Sequence, residues 1–115
     1  MNNSQDGYKI YTNEYENWYA SRLPYKETLI ELSKIEDISI DELLIEEIDI
    51  DKETMWFPVK DLPKSELNKA GYFQKFEGEL EKQVTFREAL KFIKDVKEKW
   101  CMYGEDVFLI CTSNR

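Results

Sequence analysis

Residues 38–59 read ISIDELLIEEIDIDKETMWFPV, and this stretch decides the fold that the rest of the chain must complete. In its middle, apolar and acidic side chains alternate, as on a strand with one buried and one solvated face. Residues 51–54 would then turn the chain into a second strand, which Pro58 places near a sheet edge. The stretch therefore predicts a β-hairpin, although residues 41–48 also fit an amphipathic helix.

The same region carries the surplus negative charge of the chain. Residues 36–53 contain nine acids and one base, Lys52, a surplus of eight that equals the net charge of −8 for all 115 residues. Acids and bases balance in the rest of the sequence. The acids on the solvated strand face are Glu47, Asp49, Asp51 and Glu53, and Glu46 interrupts the apolar face. The acidity is therefore a property of one surface.

Local patterns in the first third of the chain predict a short strand followed by two helices. The strand would contain Tyr8 and Ile10. Asn13 begins a capping box before a helix at about 14–21, whose aromatic residues would pack on the core or form a partly exposed anchor site. The spacing of apolar residues then predicts an amphipathic helix at 24–35.

The second half of the sequence predicts a short helix, two short strands, a second helix and a final strand. Residues 63–70 fit a short helix, and residues 72–76 and 79–84 fit short strands. Thr85 begins a capping box that precedes an amphipathic helix. Residues 107–111 are uniformly apolar, which indicates a central strand that is covered on both faces.

Together these elements predict an α+β fold, with a small, largely antiparallel sheet and helices packed mainly on one face. The length of 115 residues suits one domain. We expect a flexible N-terminus at 1–7 and a single globular domain at 8–115. No apolar run approaches the ~18 residues of a membrane helix, and the first residues lack the pattern of a secretory signal.

The absence of histidine excludes several kinds of chemistry. Histidine is the commonest general base and metal ligand, so Ser-His-Asp and Cys-His catalytic groups are excluded. We expect Cys101 and Cys111 to be unbridged thiols in a reducing cytoplasm, with one bridge between them as the alternative. Cys101 would lie at a helix C-terminus, which raises a thiol pKa and makes this thiol a poor nucleophile. Because histidine is absent and the thiol is not activated, we predict no catalytic residue. We also expect no cofactor.

The acidic residues do not form a recognised metal site. Asp49, Asp51 and Glu53 imitate the start of an EF-hand, but Thr54 and Lys60 stand where that loop needs glycine and glutamate. Carboxylates along a straight strand line up rather than converge on one ion, so we predict no metal site. Because no strongly basic patch exists, we also expect no direct binding of nucleic acid.

The acidic surface beside aromatic residues predicts protein recognition, because charge of one sign steers a basic partner and aromatic anchors hold it. The predicted partner-binding residues are Glu46, Glu47, Asp49, Asp51, Glu53, Trp56 and Tyr19. Basic partners are often proteins that act on nucleic acid. We therefore expect a non-enzymatic inhibitor of such a protein, for example a nuclease toxin. In character, without a shared motif, such an inhibitor resembles the immunity proteins that neutralise nuclease toxins.

Two other hypotheses remain open. A small accessory or assembly protein would use its acidic face only for solubility, and neutralising that face would leave binding unchanged. An enzyme built on carboxylates or a thiol would need a concave pocket with strongly shifted carboxyl pKa values. None of the three hypotheses involves a membrane.

Overall fold

A computed structural model describes residues 2–101 and 104–113. Over these residues the strands are β1 (Lys9–Asn13), β2 (Asn17–Ser21), β3 (Ile45–Glu47), β4 (Thr54–Pro58), β5 (Phe73–Phe76), β6 (Glu79–Thr85) and β7 (Val107–Thr112). The helices are α1 (Tyr25–Glu36), α2 (Lys64–Leu67), α3 (Phe86–Ile93) and α4 (Lys97–Trp100). The mixture of helices and antiparallel strands confirms the α+β class.

The strands divide between two small sheets. In the described part of the chain, the first sheet has the order β3-β1-β2-β7 and the second has the order β4-β6-β5. All their pairings are antiparallel. α3 follows β6 directly and packs against β4 and β6. The second sheet and α3 therefore pack directly against each other.

The first sheet is covered on both faces. On one face, Tyr19 packs with Leu32 of α1 and with Leu43 in a small apolar cluster. Ile10 and Ala20, which are cross-strand partners, lie in the main core with residues of the second sheet and α3. Side chains alternate along a strand, so the two clusters lie on opposite faces. The order of layers is α1, the first sheet, and then the second sheet with α3.

Several sequence predictions are confirmed. α1 is displaced by one residue from the helix predicted at 24–35, and α2 lies inside the helix predicted at 63–70. β5 and β6 match the two predicted strands to within one residue. The predicted capping box begins α3: the Glu88 N–H donates to Thr85 Oγ1 at 3.1 Å, and the Thr85 N–H donates to Glu88 Oε1 at 2.9 Å. Pro58 ends β4, which is an edge strand as predicted.

The helix predicted at 14–21 is wrong, because this segment forms the turn and second strand of a β1–β2 hairpin. Glu14 and Tyr15 adopt positive φ angles of 50° and 58° in the turn. The Tyr15 N–H donates to Thr12 Oγ1 at 3.0 Å and supports this conformation. Trp18 and Tyr19 are adjacent strand residues and therefore point to opposite faces of the first sheet.

The hairpin predicted within 38–59 is also wrong. β3 pairs with β1 in the first sheet, whereas β4 pairs with β6 in the second. Between them, the chain turns at 49–53, where the Asp51 N–H donates to Asp49 Oδ1 at 3.0 Å. Ile48 and Ile50 are buried as the alternation predicts, although neither lies in a strand. The stretch thus connects the two sheets.

The apolar run near the C-terminus is an edge strand and not a central one. β7 has β2 as its neighbour at one end of the first sheet. Phe108 and Ile110 are buried in the main core, whereas Leu109 on the opposite face is 47% exposed. The prediction that β7 is covered on both faces is therefore wrong at Leu109, which is apolar but exposed.

Candidate functional site: an acidic surface beside an aromatic groove

Two of the predicted partner-binding acids are engaged within the protein. Glu47 Oε1 lies 3.6 Å from the Lys9 ammonium, and Glu47 Oε2 accepts a hydrogen bond from the Asn3 amide at 2.8 Å. The Asp51 carboxylate is held by Arg87, with Nε donating to Oδ1 at 2.5 Å and Nη2 donating to Oδ2 at 2.9 Å. These bonds lower the pKa of Asp51 below its usual value. Both carboxylates therefore have a local structural role.

Arg87 also ties the N-terminal segment to the rest of the protein. Its side chain on α3 is buried, and Nη1 and Nη2 donate to the Ser4 and Asn2 carbonyls at 2.9 and 2.7 Å. The Asn3 side chain accepts from the Ile50 N–H at 3.0 Å. One guanidinium thus joins α3, the 49–53 turn and the start of the chain. The expected flexibility of residues 1–7 stays a prediction.

Glu46, Asp49 and Glu53 form the remaining part of the predicted acidic surface. Among residues 2–101 and 104–113, no lysine or arginine forms an ion pair with any of these three carboxylates. Partial burial raises the pKa of Glu53, and the nearby Glu46 and Asp49 charges raise it further. These three carboxylates therefore carry negative charge outside any ion pair of the described residues, although the Arg87 charge also acts on Asp49.

Aromatic side chains lie directly beside these acids. The Tyr15 hydroxyl lies close to the Glu46 carboxylate, whose proximity raises the pKa of Tyr15. The Tyr15 ring meets the Trp18 ring edge-on, with centroids 6.2 Å apart. Thr12 pairs with Glu46 on one side and with Trp18 on the other. Glu46 and Trp18 therefore lie on the same face of the first sheet, about 10 Å apart at two strand spacings.

A groove with a volume of about 390 Å³ separates this part of the first sheet from the second sheet. We call it the aromatic groove. Its lining residues are Trp18, Thr54, Met55, Trp56, Gln74, Phe76, Phe86, Cys111, Thr112 and Ser113. Glu53 directly precedes the lining residue Thr54. The predicted anchor Trp56 is half-buried and lines the groove, three residues after Glu53 in the sequence.

The other predicted anchor, Tyr19, is placed differently. It is 4% exposed, and its hydroxyl donates to the Glu36 carboxylate of α1. Glu36 also accepts from the Asn17 amide at 3.3 Å. Burial and the bond to Glu36 raise the pKa of Tyr19. The ring of Tyr19 therefore joins α1 to the first sheet, away from the acids and Trp56.

The described residues offer little for metal or thiol chemistry. Within residues 2–101 and 104–113, no group of three cysteine or carboxylate side chains could hold a metal ion. Cys101 and Cys111 do not form a disulfide. Burial raises the pKa of the Cys101 thiol, which disfavours the nucleophilic thiolate.

Sequence reasoning placed Trp18 in an aromatic cluster that could form an anchor site, but it did not name Trp18 among the partner-binding residues and it did not indicate most of the groove lining. The sequence predicts a helix at Trp18, whereas its side chain reaches the groove because β2 pairs with β1 and β7. Phe76 and Ser113 lie far from Trp18 in the sequence and meet it through the packing of the two sheets. The adjacent aromatic residues Trp18 and Tyr19 are the local signal that could have indicated a strand, because aromatic side chains are enriched in strands.

Comparison of the chain with protein-family models, with curated proteins and with solved structures gave no match. None of the helices in the described part of the chain combines the length and apolar character needed to cross a membrane.

Proposed function

We propose that this protein is a non-enzymatic binding module that inhibits a basic protein acting on nucleic acid, such as a nuclease toxin. The observation that carries this proposal is that Glu46 lies on the same sheet face as Trp18, which lines the aromatic groove, while Glu53 precedes the lining residue Thr54. Acids without an internal cation attract a basic surface, and tryptophan side chains provide contact area once the surfaces meet.

The inhibitory role follows from the kind of surface that such a partner presents. Proteins that act on nucleic acid bind phosphates through clustered lysine and arginine side chains. A compact acidic surface competes for the same side chains and is steered to them by charge. Glu46, Asp49 and Glu53 provide this field, because among the described residues none of their carboxylates forms an ion pair with a lysine or arginine. A reducing cytoplasm suits the two unbridged cysteines.

An accessory or assembly role is the second candidate, and a specific observation favours it. Glu47 and Asp51 serve the fold through Lys9, Asn3 and Arg87, so part of the acidity has a structural explanation. In that case the remaining carboxylates would only keep the surface solvated. The two candidates differ in whether a partner loses its activity on binding.

The decisive experiment begins with capture of the tagged protein from its host at low and high salt, followed by mass spectrometry. The captured partner is then purified, and its action on nucleic acid is measured against increasing amounts of this protein. We expect a basic partner, retained better at low salt, whose activity falls to zero near a one-to-one ratio. A partner that keeps full activity in the complex would overturn the inhibitor proposal and favour the accessory role.

A further inference from the structure

The aromatic groove and its acidic neighbours provide the two parts of a cation site. Trp18 and Trp56 line the groove, and Tyr15 lies edge-on to Trp18 with 51% of its surface exposed. The faces of such rings attract cations, and most strongly where solvent is partly excluded. The groove volume of about 390 Å³ lies at the small end of the range for ligand pockets, roughly 300–1,000 Å³. It suits one or two side chains better than a large cofactor.

The carboxylates set the chemistry of the occupant. Glu46 lies on the same face of the first sheet as Trp18, with Thr12 between them, and Glu53 lies close enough to Glu46 for the two charges to repel. The chain itself supplies no lysine or arginine to either carboxylate in residues 2–101 and 104–113. A cation from another molecule would relieve this repulsion. Charge complementarity thus selects a basic side chain.

We propose that the aromatic groove binds an arginine side chain of the partner, with its guanidinium directed to Glu46 and Glu53. This inference rests on the proposed function and specifies what the groove recognises. Arginine fits better than lysine because its planar guanidinium stacks on aromatic rings and donates to two carboxylate oxygens at once. Its aliphatic stem would lie against the tryptophan side of the groove.

The test uses the intact protein and short peptides in place of the partner. The probes are three N-acetylated, C-amidated pentapeptides, Gly-Gly-Xaa-Gly-Gly, in which Xaa is arginine, lysine or citrulline. Citrulline matches arginine in shape but carries no charge. Binding is followed by NMR through the indole N–H signals of Trp18, Trp56 and Trp100. Trp100 is absent from the groove lining and serves as the internal control.

We expect the arginine peptide to shift the Trp18 and Trp56 signals in a saturable way and to leave Trp100 unchanged. The double variant Glu46→Gln/Glu53→Gln should bind this peptide about tenfold more weakly. The matched variant Glu27→Gln/Asp95→Asn removes two exposed acids elsewhere and should bind it normally. These variants leave the core intact, whereas Trp18 packs against the main core and its replacement would also change stability.

Equal shifts with the citrulline peptide would overturn the inference, because charge would then play no part. Equal affinity for the lysine peptide would overturn the assignment to arginine. Shifts confined to Trp100 would place the peptide elsewhere. The proposed function is tested separately by capture and inhibition of the whole partner. If a basic partner is inhibited and the arginine peptide fails, the proposed function stands and the arginine site is lost.

Discussion

The Arg87 guanidinium and the Asp51 carboxylate form a two-point ion pair, with N–O distances of 2.5 and 2.9 Å, that fastens the 49–53 turn to α3. Arg87 is 8% exposed, so removal of its partner would leave a charged group poorly solvated. This relationship changes how the acidic surface can be tested. Neutralising Asp51 would alter the fold as well as the charge.

We predict that Asp51→Asn lowers the melting temperature at pH 7 by several degrees. The Arg87 hydrogen bonds lower the pKa of Asp51 below 3.8, so the pair stabilises the fold above that pH. Its contribution is lost as the pH falls through the lowered pKa, and the two proteins should then converge. Thermal unfolding followed by circular dichroism between pH 2 and pH 7 measures this difference. Asp95→Asn, an exposed acid outside such a pair, should show no comparable loss.

Glu53→Gln should have the opposite effect and raise the melting temperature at pH 7. Burial and the Glu46 charge raise the pKa of Glu53 above 4.5, so its ionisation destabilises the folded state. The gain should be absent below pH 4.5 and should grow as the pH rises through the raised pKa. Thermal unfolding at pH 3.5 and pH 7 compares the two proteins. A variant that is less stable at pH 7 would contradict the repulsion between the two glutamates.

Tyr19→Phe should weaken the fold and leave partner binding unchanged. The variant keeps the ring but removes the hydroxyl that donates to Glu36. Loss of a hydrogen bond to a charged acceptor typically lowers the free energy of unfolding by about 1.5–3 kcal/mol. Urea unfolding measures that loss, and association kinetics with the captured partner measure binding. A large loss of affinity in a folded variant would restore Tyr19 as an anchor.

Local chemistry accounts for the elements that the sequence predicted correctly. Thr85 and Glu88 are three residues apart, so their reciprocal hydrogen bonds define the start of α3 without help from distant residues. Apolar spacing similarly identifies α1, because the helix period lies within one short segment. In both cases the contacts that fix the element are close in sequence.

Distant contacts account for the failures. Tyr15, Trp18 and Tyr19 fit one helix face, but the same spacing is equally compatible with a turn and a strand. The positive φ angles at Glu14 and Tyr15 belong to residues that seldom adopt them. β3 and β4 are neighbours in sequence, yet each finds its partner in a different sheet. The sequence indicated Glu46, Glu53 and Trp56 of the candidate site, whereas Trp18 joins the groove through the pairing of β2 with β1 and β7.

The final prediction tests whether Glu46 and Glu53 steer the partner. Glu46→Gln/Glu53→Gln should slow association about tenfold at low salt and flatten its salt dependence, because these carboxylates provide long-range attraction. Stopped-flow association with the captured partner at several salt concentrations measures both effects. Glu27→Gln/Asp95→Asn changes the net charge equally but lies outside the groove. If both double variants slow association to the same extent, total charge governs the encounter and the acidic surface beside the aromatic groove has no special role.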